Sequence, residues 1–256
     1  MKALKIIGII IFSILAGLYL YFYAAAPIIT ISKLNSQVTS DTVFMKKHQS
    51  MVNFPKLLPQ IKEKSFLEAQ LSLAKRDSIG IVINLKDSTV NLVMKGVTIR
   101  KSKMIDYKKD RIFNGINGPA YYKYFSKPLT NVSEYCSMIK EPIEKKTAPK
   151  DTIEALKQLT IPDSVACEPA YYSATLSNGF NLIMVQPVWE TDAEKEIEKK
   201  FKSDMNRRKF FLSRISDLIK KETPDYKPTI LIELSKYDIR AIYRGTPWKP
   251  GVVIYY

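Results

Sequence analysis

The chain has 256 residues, and its 40 lysine and arginine residues outnumber its 25 aspartate and glutamate residues, which gives a formal net charge of +15 at pH 7. This length is enough for one domain of ordinary size or two small ones. The only histidine, His48, falls in a segment predicted below to be a linker. Its position argues against Ser-His or Cys-His catalysis and against a two-histidine metal site.

The basic excess favours attraction to anionic surfaces such as lipid headgroups, wall polymers or nucleic acid. The alternative is that the extra charge only keeps the surface solvated. The sequence contains neither a phosphate-cradling glycine loop nor a metalloprotease helix motif. We therefore expect no cofactor and no metal.

Residues 6–26 form an unbroken apolar run that is preceded by Lys2 and Lys5 and followed by Pro27. A helix needs about 20 apolar residues to cross a bilayer core. The run therefore predicts a transmembrane anchor over 6–26, with residues 1–5 in the cytoplasm. A cleaved secretory signal is the alternative, but the length of the run and the proline that follows it favour an uncleaved signal-anchor.

The charges beside the anchor predict its orientation, because Lys2 and Lys5 outweigh Lys33 on the other side. The protein is then a single-pass protein of the bacterial inner membrane with most of its chain in the periplasm. Expected partners are membrane lipid and either envelope proteins or peptidoglycan, and no nucleic acid is expected. Ser13 and Gly17 have the spacing of small residues at which membrane helices pack, so a homo-oligomer through the anchor is a further hypothesis.

Residues 27–55 show no sustained hydrophobic period, which predicts an extended linker or stalk. Residues 56–256 are predicted to form one extracytoplasmic α+β domain. It begins with an amphipathic helix over 56–75, where apolar residues recur at helical spacing among lysines and glutamates.

Short apolar segments with turn residues between them predict a mainly antiparallel sheet. Asn178-Gly179 is a strong hairpin turn because both residues tolerate a positive φ. Thr191 and Glu194 fit a capping box, which predicts a long amphipathic C-terminal helix from Thr191 to about residue 221. The predicted strands are 79–85, 89–94, 97–100, 171–176, 180–185, 229–234 and 252–256, and the predicted short helices are 151–159 and 237–244.

Residues 106–130 are predicted to be irregular, because Asn114-Gly115 and Asn117-Gly118 are turn signals. Aromatic faces beside lysines can stack on sugar rings or bases while the ammonium groups meet anions. The alternative is that these rings fill the edge of the core beneath a long loop. The candidate ligand surface consists of Tyr121, Tyr122, Lys123, Tyr124 and Lys127.

Cys136 and Cys167 are the only cysteines in the sequence. In an oxidising compartment such a pair is able to form a single disulfide, so Cys136 and Cys167 are a candidate pair. Two bare Ser-x-x-Lys matches, at 72–75 and 137–140, lack the partner motifs of penicillin-recognising enzymes. No catalytic residue is assigned.

The strands and turns between Ile79 and Arg100, with Gly251-Val252-Val253-Ile254 near the end, resemble the opening hairpins and closing strand of bacterial L,D-transpeptidase domains. The histidine and the His-Gly-Cys nucleophile motif of that family have no counterpart here. The surroundings of Cys167 also depart from that motif, so the resemblance implies a related domain without this activity. More broadly, the chain resembles uncharacterised single-pass envelope proteins of bacteria, which implies a location and no mechanism.

Together these features predict a membrane-anchored extracytoplasmic binding or assembly protein of the bacterial cell envelope, without enzymatic activity. The alternative is a cell-wall-modifying transferase or hydrolase that uses carboxylates or Cys167 in an active site without a recognised motif.

Overall fold

The computed structural model describes residues 2–48, 50–53, 55–140, 169–205 and 226–256. This part of the chain forms an α+β fold around a mixed sheet of nine strands. The strands are β1 (Gly80–Asn84), β2 (Thr89–Met94), β3 (Val97–Lys103), β4 (Asp106–Lys109), β5 (Leu129–Cys136), β6 (Tyr171–Leu176), β7 (Asn181–Val185), β8 (Thr229–Glu233) and β9 (Gly251–Tyr255). Their order across the sheet is β3-β2-β1-β9-β5-β6-β7-β8-β4.

Helices lie before and between the strands and cover both faces of the sheet. They are α1 (Lys2–Thr39), α2 (Thr42–Lys47), α3 (Ser50–Asn53), α4 (Leu58–Ala74), α5 (Gly118–Phe125), α6 (Asp192–Met205) and α7 (Lys236–Gly245). Single 3-10 turns occur at Pro55–Leu57 and Arg111–Asn114.

The prediction of an N-terminal transmembrane helix over 6–26 is wrong. The apolar run does not end as a separate element at Pro27, because α1 continues through that proline to Thr39. Within the described ranges, no helix combines the length and the apolar character needed to cross a bilayer. Large apolar side chains of α1 between residues 6 and 15 are exposed, and association of two copies through Ser13 and Gly17 stays a prediction.

The predicted stalk over 27–55 is also wrong, because this segment is helical and packs on the domain. Val38 is buried, and Ile31 and Leu34, at helical spacing from it, contact the core. The polar residues between them, which suggested a linker, bind the domain instead. Asn35 donates its amide to the carbonyl of Gly115 at 3.0 Å.

The predicted helix over 56–75 and the predicted strands 79–85, 89–94 and 97–100 are confirmed as α4 and β1 to β3, and the three strands form an antiparallel meander. The sheet they belong to is mixed: six of its eight neighbouring strand pairs are antiparallel and two are parallel. β9 runs parallel to β1, and β8 runs parallel to β7. The second pairing follows from the connection, since parallel neighbours need a crossover and α6 lies between β7 and β8.

The sheet is curled so that the end of β3 lies close to the start of β4 at the opposite end of the strand order. β3 and β4 lie at opposite ends of the strand order, yet only Met104 and Ile105 separate them in the chain. Three successive Cα steps span at most about 11 Å. The amide of Met104 bonds to Ser88 at one edge, and the amide of Ile105 bonds to Glu233 at the other. A single core fills the space inside this curl, with residues from both halves of the sheet and from α5 and α7.

The outer face of the sheet carries two smaller apolar clusters, each beneath a helix. Ala69 and Leu73 of α4 pack on Val82 and Val253. On the other half, Ile197 and Phe201 of α6 pack on a cluster formed by β6, β7 and β8. Gly80 and Gly251 allow the close approach of α4, since a Cβ atom at Gly80 would lie 2.6 Å from Leu73 Cδ1.

The predicted capping box at the start of α6 is confirmed. Thr191 Oγ1 accepts from the amide of Glu194 at 3.3 Å, and Glu194 Oε2 accepts from the amides of Glu190 and Thr191 at 2.8 and 3.1 Å. Lys236 donates to Glu194 Oε1 at 2.5 Å. The predicted continuation of this helix to residue 221 and the predicted helix over 151–159 lie outside the described residues.

Replacing Glu194 with Gln should remove a pH-dependent part of the stability. Burial opposes ionisation of Glu194, but the ammonium of Lys236 and the amides of Glu190 and Thr191 outweigh it and lower the pKa to about 2. A lowered folded-state pKa contributes stability above the unfolded value of 4.5, and this contribution is lost as the pH falls from 4.5 towards 2. Urea unfolding should show a loss of on the order of 2 kcal/mol at pH 7 that shrinks in this window. A loss independent of pH would contradict this account.

Gly80→Ala should destabilise the domain, because the added methyl group meets both Leu73 and the carbonyl oxygen of Gly251, 2.9 Å away. We expect a decrease of about 1–3 kcal/mol in the free energy of unfolding, measured by urea denaturation. Gly17→Ala is the control, since nothing lies within 4 Å of a Cβ atom there. Equal effects of the two substitutions would show that the close packing of α4 is not a constraint.

Candidate functional site

The tyrosine-rich segment predicted to be an irregular loop contains a helix. Residues 106–130 include β4, a 3-10 turn and α5. Asn117, which suggested a turn, is the N-cap of α5, and its side chain accepts from the amide of Ala120 at 2.9 Å. An asparagine cap followed by a proline in the first turn is a helix-start signal that could have identified α5.

The helix distributes the predicted ligand surface over several faces. Tyr121 is fully buried in the core, and Tyr122 is half-buried beside the ring of His48, with 4.8 Å between the ring centroids. Tyr124 lies against α1, where its hydroxyl is 3.3 Å from the side-chain oxygen of Gln37. The remaining two residues, Lys123 and Lys127, are exposed.

Two lysines of this region lie over aromatic rings and have acidic partners. Lys123 Nζ is 2.8 Å from Asp41 and 5.4 Å from the ring centroid of Phe44. Lys64 Nζ is 3.8 Å from Glu68 and 5.4 Å from the ring centroid of Tyr122. Their charges are therefore compensated within the chain.

Lys62 and Lys109, here called the lysine pair, differ from these two. Their ammonium nitrogens lie 4.5 and 5.1 Å from the ring centroid of Tyr256. The shared ring brings the two charges to within about one Debye length at 0.1 M salt, about 10 Å. In the described part of the chain, no carboxylate oxygen lies within 4.0 Å of either nitrogen.

The surroundings hold the Tyr256 ring in place. The rings of Phe113, Tyr121 and Phe125 lie 5.0, 5.1 and 5.3 Å from it, centroid to centroid. Lys62 projects from α4 onto both Tyr121 and Tyr256, and Lys109 ends β4. The lysine pair is therefore fixed by packed elements rather than by a loop.

The pKa of each member of the lysine pair is lowered by its surroundings. Burial lowers the pKa of Lys62 below the ordinary 10.5, and the neighbouring charge of Lys109 lowers it further. Burial also lowers the pKa of Lys109. Two partly buried like charges without a counterion are what an anion would stabilise.

A cleft of about 190 Å³ opens along the start of α4. Its lining residues are Ser50, Met51, Leu57, Gln60, Ile61 and Lys64. Ile61 and Lys64 lie on the same face of α4, whereas Lys62 projects from a different face, because successive residues of a helix are turned by about 100°. The cleft is therefore not part of the lysine pair.

A second polar cluster lies on the inner face of β5 and β6. Asn131 donates to Tyr172 Oη at 2.6 Å and to Glu134 Oε2 at 3.0 Å, and Tyr243 is hydrogen-bonded to Cys136. Glu134 Oε1 is buried without a hydrogen-bond partner among the described residues. The adjoining cleft between α7 and the sheet has no room for a water molecule, so this cluster offers no space for a substrate.

Cys136 lies half-buried at the end of β5, and its sulfur accepts from the amide of Met138 at 3.4 Å. Cys167 lies outside the described residues. The candidate disulfide between them therefore stays a prediction.

No protein-family model, curated protein or solved structure matches the chain. The resemblance to L,D-transpeptidase domains therefore stays a prediction. Functional inference rests on the geometry of the lysine pair and of the polar cluster.

Replacing Lys62 with Met keeps the aliphatic stem and removes the buried charge. At pH 7 the free energy of unfolding should rise by about 0.5 kcal/mol, a small value because solvent screens a partly exposed charge. A lysine whose folded-state pKa is lowered disfavours folding below that pKa, and this cost disappears as the pH rises towards 10.5. The gain should therefore shrink in urea unfolding at alkaline pH.

Lys64→Met is the matched control, because it removes a lysine of the same helix that has Glu68 as a partner. It should be neutral or slightly destabilising at pH 7. If Lys62→Met destabilises the protein more than Lys64→Met does, the charge of Lys62 is not a cost to folding.

Proposed function

We propose that this protein is a non-enzymatic binding protein that holds an anionic group, a phosphate or a carboxylate, at the lysine pair. The observation that carries the proposal is the convergence of Lys62 and Lys109 on one aromatic ring, without a carboxylate among the described residues beside them. An oxyanion placed there would supply the missing counterion and accept hydrogen bonds from both ammonium groups.

The neighbouring lysines support this choice of site. Lys64 and Lys123 also lie over rings, but each already has a carboxylate within 4.0 Å. Recruiting an anion to them would break an existing ion pair, whereas recruiting one to the lysine pair would break none. The absence of a carboxylate partner therefore distinguishes the lysine pair from these other lysines of the basic surface.

The net charge of +15 supports the same class of ligand. A strongly basic protein raises the local concentration of anions and speeds their arrival, and this effect falls as salt is added. Because the basic excess extends over the whole chain and not only over the lysine pair, we propose an anionic polymer rather than a free ion.

The predicted location in the bacterial envelope stays a prediction, as do envelope proteins and peptidoglycan as partners. If it is correct, the ligand would be an anionic polymer of that compartment. The proposal of anion binding does not depend on it.

Pyrophosphate is a suitable probe because it carries closely spaced oxyanions. Calorimetric titration of the full-length protein should show saturable binding, and Lys62→Gln or Lys109→Gln should each weaken it by about 10- to 100-fold, since a hydrogen bond to a charged group contributes about 1.5–3 kcal/mol. Lys64→Gln, the matched control, should weaken it less than about twofold, the effect of a screened surface charge. A long-chain polyphosphate should bind more tightly per site if the natural ligand is a polymer.

Equal losses in all three variants would show that binding follows net charge alone and would contradict the proposal. The enzyme alternative has its own test, which is digestion of peptidoglycan by the purified protein. Turnover that Glu134→Gln or Cys136→Ser abolishes would move the function to the polar cluster and would contradict a non-enzymatic role.

A further inference from the structure

The outer edge of β3 is a second surface, separate from the lysine pair. β3 is seven residues long and lies at one end of the strand order, with β2 as its neighbour. Every residue of β3 except Ser102 is exposed. No other strand of the described chain pairs with its outer side.

The register identifies which backbone groups of β3 face outward. The amide of Met104 donates to the carbonyl of Ser88 on the β2 side, and Lys103 lies opposite Thr89. Because backbone groups in an antiparallel strand point alternately to one side and the other, Ser102 also bonds towards β2. The amides and carbonyls of Lys101 and Lys103 therefore point away from the sheet.

The inner side chains of β3 are held by α7, which stiffens the strand. Arg100 donates to Asp238 at 2.9 Å, and Ser102 donates to the same carboxylate at 2.7 Å. The free edge of such a strand is already ordered. Binding would therefore cost only the conformational entropy that the partner segment loses.

The side chains along this edge favour one kind of partner. Lys101 and Lys103 are exposed, and neither forms an ion pair among the described residues. Val97 and Ile99, which are 68% and 55% exposed, add apolar area at the other end of the strand. The edge is therefore complementary in charge to a strand with acidic side chains.

Pairing with a second copy of the same strand is disfavoured. An antiparallel pair of β3 strands would bring lysines close to lysines, and like charges opposite one another destabilise a ladder. Lysines on an edge strand are a common device against association between copies. These lysines disfavour a second copy of β3 and favour an acidic segment at this edge.

We propose that the outer edge of β3 binds an extended acidic segment of another protein by strand addition. The backbone of that segment would bond to the free groups of Lys101 and Lys103, and its carboxylates would face the two ammonium groups. This inference goes beyond the proposed anion binding, because it adds a protein partner at a surface formed by other residues.

Amide hydrogen exchange of the full-length protein tests the geometry first. In the free protein, the amides of Lys101 and Lys103 should exchange at least about 100-fold faster than that of Ser102, because only the latter is bonded within the ladder. Equal protection of the three amides would show that the edge is already covered and would overturn the proposal.

The probe for binding is the peptide acetyl-VEVEVEV-amide, with acetyl-VKVKVKV-amide as its matched control. The acidic peptide should slow exchange at Lys101 and Lys103 by at least about tenfold, and the basic peptide should leave both amides unchanged. Equal protection by the two peptides, or by neither, would overturn the proposal. Protection that grows with protein concentration in the absence of peptide would show self-pairing and would also overturn it.

Variants separate the backbone bond from the charge. Lys101→Pro removes an outward N–H and no bond to β2. It should weaken binding of the acidic peptide by at least about tenfold, while the amide of Ser102 stays protected from exchange. Lys101→Gln keeps the N–H and should weaken binding of the acidic peptide only a few-fold. If the proline variant fails to fold, the double variant Lys101→Gln with Lys103→Gln serves instead, and unchanged peptide binding by it would overturn the role of charge.

Discussion

The position of β9 between β1 and β5 is the constraint on which the rest of the structure depends. This strand pairs in parallel with β1 and antiparallel with β5, and so joins the two halves of the sheet into one. Gly251 on β9 and Gly80 on β1 keep the surface low enough for Leu73 of α4 to pack across both strands. Tyr256 directly follows β9, so the same strand that closes the sheet also delivers the ring shared by the lysine pair.

Local patterns in the sequence are sufficient for most strands and for the helices α4, α6 and α7, but not for α5. Alternating apolar residues, the Asn178-Gly179 turn and the capping box at Thr191 each act over a few residues, and the structure contains the corresponding elements. The pairing of β1 with β9 joins residues from nearly opposite ends of the domain. No local pattern encodes such a pairing, which is why the sequence does not predict which strands pair in parallel.

The N-terminal errors have a different cause. The apolar run ends at Pro27, which predicts the end of the first helix there, although a proline can lie inside a helix whose neighbours accommodate it. The polar composition of the next segment then suggested a stalk. In the structure, this composition serves tertiary contacts such as that of Asn35 with Gly115, which depend on a surface formed far along the chain.

The candidate site was predictable only in its chemistry. The sequence places the candidate ligand surface around Tyr121, whereas Lys62 falls among the lysines and glutamates of a predicted helix and Lys109 falls in a segment predicted to be irregular. Their convergence on Tyr256 requires the curl of the sheet, which brings β4 near the end of β9 and α4. The spacing of residues in the sequence does not predict that curl.

The most direct measurement of the central claim is an NMR titration of the lysine side chains, with the protonation of Lys62 and Lys109 followed against pH with and without pyrophosphate. Both groups should titrate below 10.5 in the free protein, because burial lowers the pKa of each. Both values should rise together when pyrophosphate is added, because a bound anion favours the charged form. Titration that pyrophosphate leaves unchanged at both residues would contradict the assignment of the lysine pair as an anion site.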